Sequence, residues 1–403
     1  MENLQKEEGN RFSKLKVHPD VVKLGFVSFL TDVSSEAIFS VFSVFLTVVV
    51  GATAAVLGVI EGLADFSASS LDYLSGWLSD KTGKRKPLAL LGYSFSALSK
   101  FFLIIASTVA SLAVFRVVER LGKSFRGPAR DAWLADVASQ GNRGYSFGVH
   151  KAMDKAGAVL GPILAFFLLK SLGQNMRAFQ LLFTYAAIVA VLAVAVLALV
   201  KGKPGAPHAR DNPFKSWKLL APGFRFYMLP ALIFSLAYFS FSFLLLKAYD
   251  VGFSIADVVL LYALFNLAFV VFSAPLGALG DKIGRTRIIM LEYVLYALMS
   301  AGFVFATAQW EVIILFIVFG VFYSIDEAQS KAFIADIEPE RRGSAIGLYN
   351  FLTGLVYVPA SVVAGFLWIQ NPSYAFIFAF VIAVLALLTF FSFRKKFYVK
   401  IAQ

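Results

Sequence analysis

Gly76-Trp77-Leu78-Ser79-Asp80-Lys81-Thr82-Gly83-Lys84-Arg85 returns later in the chain as Gly277-Ala278-Leu279-Gly280-Asp281-Lys282-Ile283-Gly284-Arg285. The first copy follows the second long apolar run of the sequence and the second copy follows the eighth. Ala135-Asp136, followed by Arg143-Gly144, returns in the same way as Ala335-Asp336, followed by Arg342-Gly343. Two such pairs at matching positions are hard to obtain by chance, so the chain reads as one six-run unit written twice.

The runs themselves say what the units are. Of 403 residues, 59% are hydrophobic and 15% charged, against about 45–50% and 25% in soluble domains. With a mean hydropathy of +0.75, so much apolar surface cannot be hidden in one core and must face lipid. Runs long enough to cross a ~30 Å hydrocarbon layer fall at 23–50, 54–79, 87–109, 110–134, 144–170 and 177–200, and again at 224–248, 254–280, 287–307, 310–334, 343–369 and 373–393. The expected fold is an all-α integral membrane protein of twelve transmembrane helices in two six-helix repeats. Its parts are an N-terminal segment 1–22, a first half 23–200, a linker 201–223 with Pro204, Pro207, Pro213 and Pro222, a second half 224–393 and a tail 394–403.

A net charge of +12 does not mark a nucleic-acid binder here, because the basic residues sit in short clusters between apolar runs. Lys6, Arg11, Lys14 and Lys16 precede the first run, Lys81 to Lys86 follow the second, Lys282, Arg285 and Arg287 follow the eighth, and Arg394, Lys395, Lys396 and Lys400 close the chain. Gly51 to Ala54, Ser107 to Ser111 and Asn371 to Ser373 carry no Lys or Arg. This is the positive-inside pattern, and it places both termini and the linker in the cytoplasm, with the chain multi-pass in the cell inner (plasma) membrane. The polar first 22 residues lack an apolar signal-peptide core, so the first span is expected to serve as the insertion signal. There is no Cys, hence no disulfide or thiolate chemistry.

The doubled G-x-x-x-D-x-x-G-[RK] segments resemble the cytoplasmic loop signature of the major facilitator superfamily, and the likeness covers essentially the whole chain. Gly157-Ala158-Val159-Leu160-Gly161-Pro162 in the fifth span resembles the G-x-x-x-G-P core typical of its proton-coupled exporters, although Ile163, Leu164 and Ala165 follow where the family pattern usually continues with glycines. Arg116 matches the family's fourth-span arginine, while Arg120 stands where a Gly is expected. The resemblance implies alternating access between two halves. It also implies a cytoplasmic latch built on Gly76, Asp80, Gly83, Lys84 and Arg85 with Gly277, Asp281, Gly284 and Arg285, in which Lys84, Arg85 and Arg285 pair with acids of neighbouring helices such as Asp136 and Asp336.

Polar residues inside the spans mark the pathway, because each mid-membrane carboxylate costs about 2.5–3.5 kcal/mol on insertion scales. Asp32, Glu36, Ser40, Ser43 and Thr47 share one face of the first span, and Glu61, Asp65, Ser69 and Asp72 repeat that stripe in the second. The fourth span answers with Arg116, Glu119, Arg120 and Lys123, then Arg126 and Arg130; the fifth adds His150 and Asp154 beside Lys151 and Lys155. Two carboxylates one turn apart in a low-dielectric cavity do not both stay charged unless a cation pairs with one, and Arg116 or Arg120 is the expected partner of Asp32 and Glu36. Asp326, Glu327, Ser330 and Lys331 form a smaller cluster in the tenth span, read either as an answer to the first-half network or as a helix-stabilising i, i+4 pair. His18 and His208 read as solvated.

The reading is a secondary active transporter, a proton-coupled exporter of a small molecule, with lipid, substrate and protons as partners, no cofactor and no nucleic acid. The alternative is a divalent-metal or metal-chelate exporter using Asp32, Glu36 and His150, although no resident metal site is expected. An enzyme is not expected: neither H-E-x-x-H nor G-x-S-x-G occurs. Gly122-Lys123-Ser124 matches the tail of a phosphate loop, but Val117 stands where its first Gly is required.

Overall fold

A computed structural model describes residues 17–105, 108–138, 143–202, 220–339 and 341–398. Most of the linker with His208, and the basic residues Lys6, Arg11, Lys14, Lys16 and Lys400, lie outside the described residues, as do the side chains of Arg143 and Gly144. The first half comprises α1 (Pro19–Val44, extended by a π turn at Phe45–Val49), α2 (Ala54–Thr82), α3 (Arg85–Ile105), α4 (Val109–Val137), α5 (Arg143–Leu172) and α6 (Met176–Leu199). The second comprises α7 (Pro222–Ala237), α8 (Ser242–Asp250), α9 (Ile255–Ile283), α10 (Arg285–Phe305), α11 (Gln309–Ile337), α12 (Arg342–Gln370) and α13 (Pro372–Phe393). With α7 and α8 counted as one interrupted span, there are twelve. Ten have the length and apolar composition to cross a membrane, and α4 and α11, each 29 residues long, carry the remaining two crossings.

The two ends of the bundle differ in how their helices are closed. At the end lacking Lys and Arg clusters, uncharged side chains cap the incoming helices: Thr53 for α2, Thr108 for α4, Asn175 for α6, Ser254 for α9 and Asn371 for α13. Each accepts a hydrogen bond from a first-turn N–H that would otherwise lack a partner. At the basic end, Gly83 closes α2 at φ 65°, a left-handed conformation in which glycine has no Cβ penalty. Gly284, at φ 92°, makes the corresponding turn between α9 and α10.

Within the halves, α1 packs on α5, α2 and α3 on α4, α9 on α11 and α10 on α13. The halves meet along α2 against α12 and α5 against α9. Glycine allows the closest of these approaches: a Cβ at Gly58 of α2 would overlap the Ser361 carbonyl oxygen of α12. Gly157 and Gly161 serve the α1–α5 contact in the same way, against the carbonyl oxygens of Phe29 and Val33. Outward-facing residues such as Leu98, Ile105, Leu199 and Phe305 remain more than half exposed, the surface that lipid covers.

One element departs from expectation. The apolar run at 224–248 reads as one uninterrupted helix, yet the backbone leaves the helix between α7 and α8. Non-helical backbone at membrane depth is tolerated where its polar groups find partners inside the protein. Here Ser240 N–H donates to Ser361 Oγ at 3.1 Å, and Tyr296 O–H donates to the Ala237 carbonyl at 2.8 Å.

Candidate transport site

Between the halves lies a cavity of about 440 Å³. Its walls come from α1, α2, α4 and α5 on one side and from the α7–α8 break, α9, α11 and α12 on the other. The lining residues run from mid-helix toward the basic end, from Phe39, Phe241 and Tyr262 at the deep end to Asp72, Arg130 and Lys331 near the mouth. The cavity therefore opens at the basic end and is closed at the neutral one.

That closure is made across the halves. Gln174 Oε1 accepts the Ile255 N–H at 2.9 Å, Ser240 Oγ donates to Glu61 Oε2 at 3.2 Å, and Tyr262 O–H donates to Glu36. The Phe39 and Tyr262 rings meet edge-on at 5.4 Å. Glu36 is thus both a first-span acid and a link to the second half.

On α4, Arg116, Arg120, Lys123, Arg126 and Arg130 follow one helical face. Their partners differ from those the sequence suggested. Arg116 makes two parallel bonds of 2.9 Å with Glu61, and Arg120 lies 3.4 Å from Asp65, so both arginines pair with α2 and not with Asp32 or Glu36. The reason is packing: α2 lies along α4, whereas α1 touches α4 only marginally. Glu61 is fully buried behind Arg116 and is not part of the cavity wall, whereas Asp65, Glu119, Arg120 and Lys123 line it. Glu119 also lies 3.6 Å from Arg116.

On α5, Asp154 lines the cavity between Arg130 at 3.5 Å and Lys151 at 3.6 Å. His150, expected on the pathway, is instead buried off the cavity, 3.0 Å from Ser28 Oγ, which also meets Tyr93 O–H at 3.2 Å and Arg130 at 3.1 Å. Asp32, Glu36 and His150 therefore do not form a ligand set, and among the described residues no group of three His, Cys, Asp or Glu side chains stands close enough to hold a metal ion. In the second half, Glu327 and Lys331 form the i, i+4 pair at 2.9 Å, leaving Asp326 on the cavity wall. Sequence reasoning missed Lys100 of α3, fully buried with its ammonium on Ser35 Oγ (3.1 Å) and Ser96 Oγ (3.3 Å). Its signal was present: a lysine inside an apolar span.

The doubled loop segments form matching braces. Arg85 donates to Asp80 (2.8 Å), Ser79 (2.9 Å) and Asp136 (3.3 Å). Arg285 donates to Asp336 (2.6 Å) and Gln329 (2.8 Å) and lies 3.1 Å from Asp281. Each brace joins three helix ends of its own half, α2 to α4 or α9 to α11, and contains the expected contact of Arg85 with Asp136 or of Arg285 with Asp336; neither crosses between halves. Lys84 is exposed. Gly76 is buried within α2, while Gly277 has open space where a Cβ would lie.

The sequence profile of the Major Facilitator Superfamily matches residues 24–309 and 231–400. An uncharacterized MFS-type transporter of Methanocaldococcus jannaschii is 33% identical over 392 residues, covering 96% of each chain. Multidrug resistance protein 1 of Bacillus subtilis is 24% identical, covering 76% of this chain and 79% of that one. Among solved structures, the POT family transporter PepTSo superposes with a TM-score of 0.79 at 12% identity, over 95% of this chain and 99% of that one.

Proposed function

The chain belongs to the major facilitator superfamily, a family of transporters and not of enzymes, and on that basis we propose that it is a proton-coupled exporter of a small molecule working by alternating access. The basic end faces the cytoplasm of the inner membrane by the positive-inside rule, with both termini on that side. With that orientation the cavity opens toward the cytoplasm, the side from which an exporter loads. The name of the Bacillus subtilis relative fits the outward direction.

The observation that carries the coupling is the link between Glu36 and Tyr262 across the closed end of the cavity. A carboxylate accepts that bond, whereas a protonated carboxyl has a donor of its own and one strong acceptor site fewer. Proton occupancy at Glu36 therefore changes a contact that must break when the halves rock outward. Asp32 stands one turn below it, and Asp154, held by Arg130 and Lys151, offers a further proton site nearer the mouth. Gating belongs to the bracing pairs around Arg85 and Arg285, which bind three helix ends into one body so that each half rocks as a unit. The divalent-metal alternative loses His150 as its third ligand.

Flux in proteoliposomes, with and without an imposed pH gradient, tests the proposal. Glu36→Gln should abolish pH-driven flux while gradient-independent exchange persists, and Asp32→Asn and Asp154→Asn should show weaker forms of the same defect. Unchanged pH dependence in all three variants would make these acids structural and refute the coupling.

A further inference from the structure

The two walls of the cavity are chemically unlike. Among the described residues, thirteen of the eighteen lining residues from the first half are charged and one, Phe39, is aromatic; nine of the seventeen from the second half are aromatic and three are charged. The aromatic wall is continuous: Phe241 lies 4.8 Å from Phe265 and 5.0 Å from Phe319, and Phe265 lies 5.6 Å from Tyr323, measured between ring centroids. Such a surface accepts a ring system by offset or edge-on packing.

Most charges on the opposite wall are already matched within the protein. Arg116 has Glu61, Arg120 has Asp65, and Arg130 has Asp154. Four are not. Among the described residues, Lys123 and Arg126 of α4 have no carboxylate within 4.0 Å, and Asp32 of α1 and Asp72 of α2 have no cation within that distance. Arg126 is 5% exposed, and its Nη1 is buried without a hydrogen-bond partner while the guanidinium rests over the Tyr93 ring. Lys123 stands within electrostatic reach of both acids. Arg126 is buried, Asp32 and Asp72 are half-buried and Lys123 is exposed to the cavity; a charge held away from bulk water without a partner is costly, so these groups gain most from a ligand. A purely anionic ligand would satisfy the two cations and face two bare carboxylates, and a purely cationic ligand would meet the reverse problem.

Resting on the transporter reading above, we infer that the substrate class is an aromatic zwitterion: a ring system carrying one ammonium and one carboxylate or similar oxyanion. The rings lie against Phe241, Phe265 and Phe319, the oxyanion meets Lys123 and Arg126, and the ammonium meets Asp32 and Asp72. The cavity volume falls in the range of sites for drug-sized ligands, about 300–1,000 Å³.

Three probes share one ring and differ in charge: Nε-dansyl-lysine (zwitterion), dansylcadaverine (cation) and 6-(dansylamino)hexanoic acid (anion). Titration calorimetry on the full chain in lipid nanodiscs should show the zwitterion binding about tenfold or more tightly than either of the others. Lys123→Met should erase its advantage over the cation, and Asp32→Asn its advantage over the anion, so that one folded variant suffices if the other fails. Equal affinity for the three probes, no binding of the zwitterion, or an unchanged ranking in both variants would overturn the inference. Binding needs no gradient, so tight zwitterion binding without pH-driven flux would keep this inference and remove the proton-coupled exporter. Flux driven by pH with no preference for the zwitterion would do the opposite.

Discussion

Replacing Arg116 by Met removes one partner of a bidentate pair whose other member, Glu61, has no exposed surface. Breaking a buried ion pair by deleting one side typically costs about 3–5 kcal/mol, because the remaining charge is left uncompensated. Met retains much of the aliphatic packing, but the stacking of the guanidinium over Phe39, at 4.3 Å, is also lost, worth about 0.5–2 kcal/mol. Arg116→Met should therefore lose at least about 3–5 kcal/mol, a large share of the stability of a typical protein. Glu61→Gln leaves the guanidinium with Glu119 at 3.6 Å and should cost less. The double variant removes both charges, so it should be more stable than Arg116→Met alone, although it carries one substitution more. Equilibrium unfolding of the four proteins in bicelles closes the double-mutant cycle. If the two single losses simply add in the double variant, Arg116 and Glu61 are not the coupled buried pair described here.

Gly157→Leu forces a side chain into the Phe29 carbonyl region and should separate α5 from α1 at a cost of about 1–3 kcal/mol, seen as a lowered thermal midpoint; an unchanged midpoint would mean that the close approach is dispensable. Asp80→Asn weakens the brace at Arg85 and should slow transport while leaving insertion and substrate affinity nearly intact. Normal turnover in that variant would remove the gating role assigned to the doubled loop segment.

The fold was legible because its signals are local and repeated. Apolar runs located every span to within a few residues, and the doubled Asp80 and Asp281 segments showed that the two halves are copies. The break at Tyr238 to Phe241 was not legible, since no Gly or Pro marks it and its backbone partners, Ser361 and Tyr296, lie far away in sequence. The site was legible as a set of charges but not as a set of pairs. Face periodicity assigned Asp32, Glu36 and Arg116 to interior surfaces, but which acid meets which arginine depends on α2, not α1, packing along α4. His150, on the face of Asp154 by spacing, ends beside Ser28 of α1 and outside the cavity, because α5 packs on α1. The aromatic wall escaped notice because 43 Phe are spread over lipid-facing and interior surfaces alike, and composition does not distinguish them.

If the two halves rock about the cavity, closure at one end is exchanged for closure at the other. The absence of native Cys allows spin labels to be placed at Thr82 and Lys282 across the basic end, and at Leu172 and Thr307 across the neutral end. Double electron–electron resonance in nanodiscs, at acid and at alkaline pH, then reads both openings. Rocking gives two distance populations at each pair, shifting in opposite senses with pH, the basic end narrowing as the neutral end widens. A single population at both pairs, unmoved by pH, would contradict it.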